Sequence, residues 1–459
     1  MSESESTPKK DDSFLNLELR KDRGSLIYEF LIPVVIFSTF GAFYWAIRGT
    51  GGYGGSSGAV FAGIGWALIW YFLSYESSER KKRPYSSGWV IAAITLGIGL
   101  GGLHGYGQFM TWIKGEFCLS YPENCIPLNP LVGYVWLFQC GLAWGGMGGL
   151  FLAWTGSKKP TELKDWIFRI LFAVAGALVG YFITYFFPEW INPAYNRVDY
   201  TNLATCPDCE RTISTSLSSM TLLGIFLGLF LYEVIRKEWR GVILTLTVAL
   251  GFALAFSVSA FWHYGPQFSD LNLPWWKNWE MSIGFWGGAS FGLAYYLYNR
   301  PFKKKEITLI REQPFSKHPN AEKLIGVEFA MATALGWSIY NGIGGFIGKF
   351  SWKDPWRLII FLPFITLCLV YFLYHVNKAN KDPFQVGDER TNIKKPLLRF
   401  IVGQAILVLL GYMVSYNMEM SFANWYLLIA YTILLIIGSI AVLIRIKWSH
   451  LKSLDVPTL

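Results

Sequence analysis

Apolar side chains fall along this chain in long runs separated by short polar stretches, and the runs do not alternate with a period of two. A helix crossing a hydrocarbon core about 30 Å thick needs about 20 mostly apolar residues. Twelve windows of that kind stand out: Ile27 to Ile47, Ala59 to Tyr75, Val90 to Leu103, Leu131 to Trp154, Trp166 to Phe187, Ser216 to Ile235, Gly241 to Phe261, Trp279 to Tyr298, Leu324 to Gly342, Leu358 to Tyr374, Leu397 to Tyr416 and Trp425 to Ile444. The third is the shortest and is expected to extend at both ends. Without period-two alternation a spanning β-barrel is disfavoured. The predicted fold class is therefore an all-α polytopic membrane protein of about twelve transmembrane helices. Residues 1–25 read as a disordered cytoplasmic tail, 26–447 as one transmembrane domain, and 448–459 as a cytoplasmic C-terminal tail. The first 25 residues have no apolar core followed by a small-residue cleavage site, so the first apolar run reads as a retained anchor.

Composition agrees with lipid as the solvent. Of the 459 residues 53% are hydrophobic and only 15% charged, with a mean hydropathy of +0.34. An even number of spans places both termini on one side, and basic residues cluster on that side: Arg80 to Arg83, Lys158 and Lys159, Arg236 and Lys237, Lys303 to Lys305, Lys394 and Lys395, Arg445 and Lys447. The other side holds fewer, namely Arg48, Lys114, Arg197, Arg211, Lys277, Lys349, Lys353 and Arg357. By the positive-inside rule the termini are cytoplasmic, in a plasma membrane or bacterial inner membrane. Basic loops facing an anionic leaflet also account for the net charge of +9, so no nucleic-acid partner is called for.

Cys118 with Cys125, and Cys206 with Cys209 in "CPDC", fall in two outer loops, whereas Cys140 and Cys368 lie within spans. In an oxidising space the loop pairs read as disulfides, with a four-cysteine metal site or a redox-active CxxC as the alternatives.

Internal similarity suggests a hairpin unit. "RGTGGYGG" at Arg48 to Gly55 is answered by "NGIGGFIG" at Asn341 to Gly348, and "LHGYGQF" by "HYGPQF", which aligns His104 and Gln108 with His263 and Gln267. Trp136, Gly141, Gly145 and Gly149 match Trp279, Gly284, Gly288 and Gly292 without gaps. Spans one and two thus resemble nine and ten, and spans three and four resemble seven and eight, as glycine-rich helical hairpin repeats. Glycines four apart first of all let helix backbones approach closely.

Polar residues gather at the outer helix ends. Because such groups avoid hydrocarbon, they point to an outward-opening polar cavity for substrate, ringed by Arg48, His104, Gln108, His263, Gln267, Glu280 and Asn341 and walled by aromatics. Each has a plainer role open to it: snorkelling for Arg48, backbone satisfaction for the histidines, a helix-start charge for Glu280. Glu328, inside the ninth window, is a candidate for proton or cation coupling. "GTGGYG" matches GxGxxG, but an apolar helix precedes it and no βαβ unit surrounds it, so nucleotide binding is set aside.

These features suit a secondary permease for a small polar solute, a sugar or sugar acid. The alternatives are a membrane-embedded transferase using a histidine as general base, although HExxH is lacking, or a non-catalytic structural subunit. Neither cofactor nor metal is expected, and oligomeric state is not legible. The topology predicts that alkaline phosphatase is active when fused after Ser120 and inactive when fused after Lys159; the reverse pattern would overturn the assigned orientation.

Overall fold

The structure is a computed structural model that describes residues 26–48, 55–74, 83–103, 109–120, 123–157, 159, 161–300 and 422–454, with isolated helical positions at 370, 374, 398, 401, 402 and 405. It is mostly helical. A π-helical turn, Ile27–Leu31, runs into α1 (Ile32–Arg48). There follow α2 (Gly55–Ser74), α3 (Trp89–Gly101) and the short α4 (Phe109–Ile113). An antiparallel hairpin of β1 (Glu116–Ser120) and β2 (Glu123–Pro127) leads to α5 (Pro130–Trp154). After it come α6 (Leu163–Phe186), the single turn α7 (Pro188–Ile191), α8 (Cys209–Ile235) and α9 (Trp239–Val258). A 3-10 segment (Ser259–Tyr264) then precedes α10 (Gly265–Phe268), α11 (Trp275–Tyr298) and α12 (Phe422–Leu454).

Among the described residues six helical segments are long and apolar enough to cross a membrane: Ile27–Ile47, Pro130–Trp154, Leu163–Phe186, Cys209–Ile235, Trp239–Phe268 and Trp425–Trp448. The second, third and eighth windows are also helical, as α2, α3 and α11. The ninth and tenth windows and the eleventh lie outside the described residues, apart from the isolated positions. Two differences from the sequence expectation have local causes. The third window does not extend past Gly101, where consecutive glycines remove the side-chain packing that would hold another turn. The loop after it contains strands that its short, mixed apolar and polar sequence did not announce. The final helix also continues to Leu454, beyond the expected start of a tail at 448, and Trp448 stacks on Tyr28 with ring centroids 5.2 Å apart.

Close packing follows the glycines. A Cβ on Gly284 would strike the backbone oxygen of Gly41, and one on Gly288 that of Phe37, so α11 lies directly on α1. Gly141 and Gly145 face Phe252 on α9, and Gly97 faces Met147 on α5. Gly176 on α6 and Gly224 on α8 each approach the other's carbonyl oxygen. The two ladders that align in sequence therefore serve different partners, Gly141 to Gly149 against α9 and Gly284 to Gly292 against α1.

Between α1, α2, α5, α9 and α11 the core is aromatic. The Trp45 ring is 5.8 Å from Trp66, 4.8 Å from Trp144, 5.9 Å from Phe252 and 5.7 Å from Phe256. Each such pair contributes about 0.5–1.5 kcal/mol beyond its buried area. Two buried ring N–H groups meet carbonyls of neighbouring segments: Trp144 Nε1 donates to Ile98 O of α3 at 2.8 Å, and Trp70 Nε1 to Tyr85 O in the turn before α3 at 2.9 Å. Burial pushes the Tyr85 phenol up to about 12, against the lowering influence of Arg240.

The helices alternate in direction, so the bundle has two ends. One carries the hairpin, both disulfides and the starts of α5, α8, α11 and α12. The opposite end buries ionic clusters. There Arg169 pairs with Glu233 at 2.7 Å between the rings of Trp154 and Trp166, each 4.6 Å away. Arg236 reaches both Glu233 at 3.2 Å and Asp165 at 3.3 Å. A second cluster joins Glu29 to Arg83 at 3.2 Å and Arg445 at 3.7 Å.

Backbone contact at Gly176 leaves no room for a side chain. Gly176→Leu is expected to lower stability by roughly 3 kcal/mol or more, the upper range of overpacking costs. Gly241→Ala, where a Cβ would meet Ala153 Cβ at 3.2 Å, should be tolerated; thermal unfolding of both variants in detergent checks the contrast.

Candidate functional site

At the disulfide-bearing end four separate pieces of chain enclose a cavity of about 330 Å³ lined by Met110, Thr111, Trp112, Lys114, Phe117, Cys118, Asp208, Arg211, Thr212, His263 and Trp276. The first piece is α4 with the turn after it. Phe109 stacks on Trp136 of α5 at 4.9 Å, and Trp112 meets the same ring edge-on at 6.1 Å, which fixes α4 against the bundle. The chain then reverses at Gly115, whose φ of +83° suits a residue without Cβ. Leu128 N donates to Gly115 O at 2.7 Å and closes the base of the hairpin. Lys114 is exposed at the rim. Cys118 and Cys125 are directly opposed in the hairpin register and form a disulfide.

The second piece is the start of α8. Cys206 and Cys209 form the other disulfide, folding "CPDC" into a turn immediately before the helix. Asp208 N donates to Leu119 O at 3.1 Å, tying this turn to β1. Arg211 and Thr212 lie in the first helical turn, with Arg211 exposed and Thr212 Oγ1 donating to Asp208 O at 3.1 Å. The positive end of the α8 dipole adds to the charge of Arg211.

His263 and Trp276 supply the other two pieces. His263 sits in the 3-10 segment, 8% exposed, its ring 4.9 Å from Trp279 and 5.3 Å from Trp276 in edge-on arrangements. Its Nε2 is buried and has no hydrogen-bond partner. An orphaned polar atom of that kind ordinarily costs about 1–3 kcal/mol. Tyr264, the next residue, donates its hydroxyl to Ile113 O and holds the segment against α4.

Of the residues singled out in the sequence, His263 lines this cavity. Gln267 does not: it is exposed on α10. The expected shared face with His263 presumed a continuous α-helix, whereas a 3-10 segment turns about 120° per residue and Pro266 starts a fresh turn. Glu280 is 1% exposed and pairs with Lys277 at 2.6 Å, while Lys277 Nζ also donates to Ala46 O at 2.9 Å. Lys277, held by Glu280, thus joins the start of α11 to the last turn of α1, which ends at Arg48. His104, Gln108, Asn341 and Glu328 lie outside the described residues.

Sequence reasoning missed Lys114, Asp208, Arg211, Trp112 and Trp276 as site residues. A signal for the two cations was present: Lys114 is four residues from Cys118 and Arg211 two from Cys209, so each is placed by a stapled loop. The cysteines pair as two separate disulfides, which excludes the four-cysteine metal site. Among the described residues the cluster with metal-ligand proximity, Glu116 with Cys118 and Cys125, has both sulfurs bridged to each other.

No family model, curated protein or solved structure matches the chain. The functional reading therefore rests on the cavity and the helices around it. Because Cys118 lines the cavity, Cys118→Ser with Cys125→Ser is expected to weaken ligand binding at the cavity severalfold while the melting temperature falls by only a few degrees, since the closed loop is short; calorimetric titration and thermal melts on the same sample read the two effects.

Proposed function

We propose that this chain is a multi-pass membrane permease for a small polar solute, a sugar or sugar acid, and that the disulfide-bearing end faces the extracytoplasmic side. The observation that carries the reading is a cavity lined by Trp112, Trp276 and Phe117 together with Lys114, Arg211, Asp208, Thr212 and His263. Ligand sites typically combine apolar walls with a few convergent polar groups in about 300–1,000 Å³. Disulfides at this end fit an oxidising compartment. Buried arginine clusters at the other end fit the basic, cytoplasmic side. Arg48 and Glu280, at the adjoining ends of α1 and α11, would belong to the same outward-facing polar layer. In this reading His104, Gln108 and Asn341 complete the solute-facing residues, hairpin repeats rock about them, and Glu328 couples an ion.

A second reading, a membrane-embedded transferase acting on an extracytoplasmic substrate, is favoured by one feature. Beneath His263 the rings close up: Trp279 packs on Phe256 at 6.3 Å, and Phe256 on Trp144 at 5.7 Å. A site sealed at its base suits chemistry at the surface, with His263 as general base. It also suits the closed inner gate of a carrier in its outward-facing state.

Uptake separates the two. Proteoliposomes holding the full chain are expected to accumulate labelled glucuronate or glucose, and His263→Ala combined with Arg211→Gln to reduce the initial rate at least tenfold. Turnover of a substrate without its crossing the bilayer would replace the permease with the enzyme.

A further inference from the structure

The charges that line the cavity set the charge of its occupant. Lys114 and Arg211 contribute two positive groups and Asp208 one negative group, so the fixed charge is +1. The N-terminus of the 27-residue α8 adds positive potential beside Arg211. A neutral solute leaves that charge uncompensated, and so does a zwitterion, whose net charge is zero. A small anion with a single negative charge balances it. The rest of the lining describes the body attached to the charge. Asp208 and Thr212 are partners for hydroxyl groups. The faces of Trp112 and Trp276 suit the C–H surface of a ring or short chain.

On these grounds we infer that the cavity binds a small hydroxylated carboxylate as its monoanion, the carboxylate held at the rim by Arg211 and Lys114 and the hydroxyls turned inward toward Asp208 and Thr212. The inference rests on the cavity being the solute site proposed above, and it narrows the solute to the acid class. It requires no transport. Guanidinium and carboxylate form charge-assisted hydrogen bonds about twice as strong as neutral ones, so losing either cation should be visible in affinity.

The test is calorimetric titration of the full chain in lipid nanodiscs at pH 7 with four probes: glucuronate, glucose, glycine and inorganic phosphate. Glucuronate is expected to bind saturably and at least about tenfold more tightly than each of the other three. Arg211→Gln and Lys114→Gln are each expected to weaken glucuronate about tenfold, while Glu210→Gln, on the same helical turn and outside the cavity lining, leaves it unchanged. Both cations are exposed at the rim, so their replacement leaves the helix packing intact; thermal melts of each variant confirm this. The inference is overturned if glucose binds as tightly as glucuronate, if glycine or phosphate binds more tightly, if neither cation variant changes the affinity, or if no probe binds. Glucuronate binding without uptake into proteoliposomes would remove the permease and keep this site. Uptake with no preference for the charged sugar would keep the permease and remove the inference.

Discussion

Backbone-to-backbone contact at glycine is the constraint on which the rest of this structure depends. In lipid there is no water to expel from between helices, so association comes from van der Waals contact and interhelical hydrogen bonds. Glycine lets the axes of α1 and α11, of α5 and α9, and of α6 and α8 come close enough for carbonyl oxygens of one helix to face the Cα atoms of the other. Once the axes are that close, the large rings have only the spaces between the pairs to occupy. Trp45, Trp66, Trp144 and Phe252 fill those spaces. The ring N–H groups of Trp66 and Trp144 end against the carbonyls of Phe37 and Ile98.

The helices were legible in the sequence because the property that defines them is local. A run such as Leu163–Phe186 is predominantly apolar, and its length fixes what it can cross. Glycines at intervals of four were legible as packing faces for the same reason, although which helix each face would meet was not. The strands at Glu116–Ser120 and Glu123–Pro127 were not legible, because the signals that hold them are a turn at Gly115 and a bridge from Cys118 to Cys125. Only the cysteines announce themselves.

The site was legible in part. His263 drew notice as a polar residue beside an apolar run, and it does line the cavity. Gln267 drew notice by helical spacing, and the change to 3-10 geometry at Ser259–Tyr264 removed it from the same face. Lys114 and Arg211 looked like ordinary loop cations, because nothing in one dimension shows that the hairpin and the α8 start lie side by side. Asp208 N bonded to Leu119 O is the contact that makes them neighbours. Buried pairs were likewise invisible: Glu280 reads as a solvated helix start until Lys277 is seen folded onto it.

Helix α8 has a role at each of its ends. Its first turn carries Arg211 and Thr212, and its last carries Glu233, which is 3% exposed and held by two arginines. Twenty-seven residues of α-helix make a stiff rod about 40 Å long. Its long contact with α6 along Gly176, Gly180, Gly224 and Gly228 binds the two into a single paddle on the flank of the molecule. A tilt of that paddle at one face of the bilayer is a displacement at the other. Glu233 is buried there between Arg169 and Arg236, so drawing it away would leave a charge uncompensated, and the ionic cluster pins that end of the paddle.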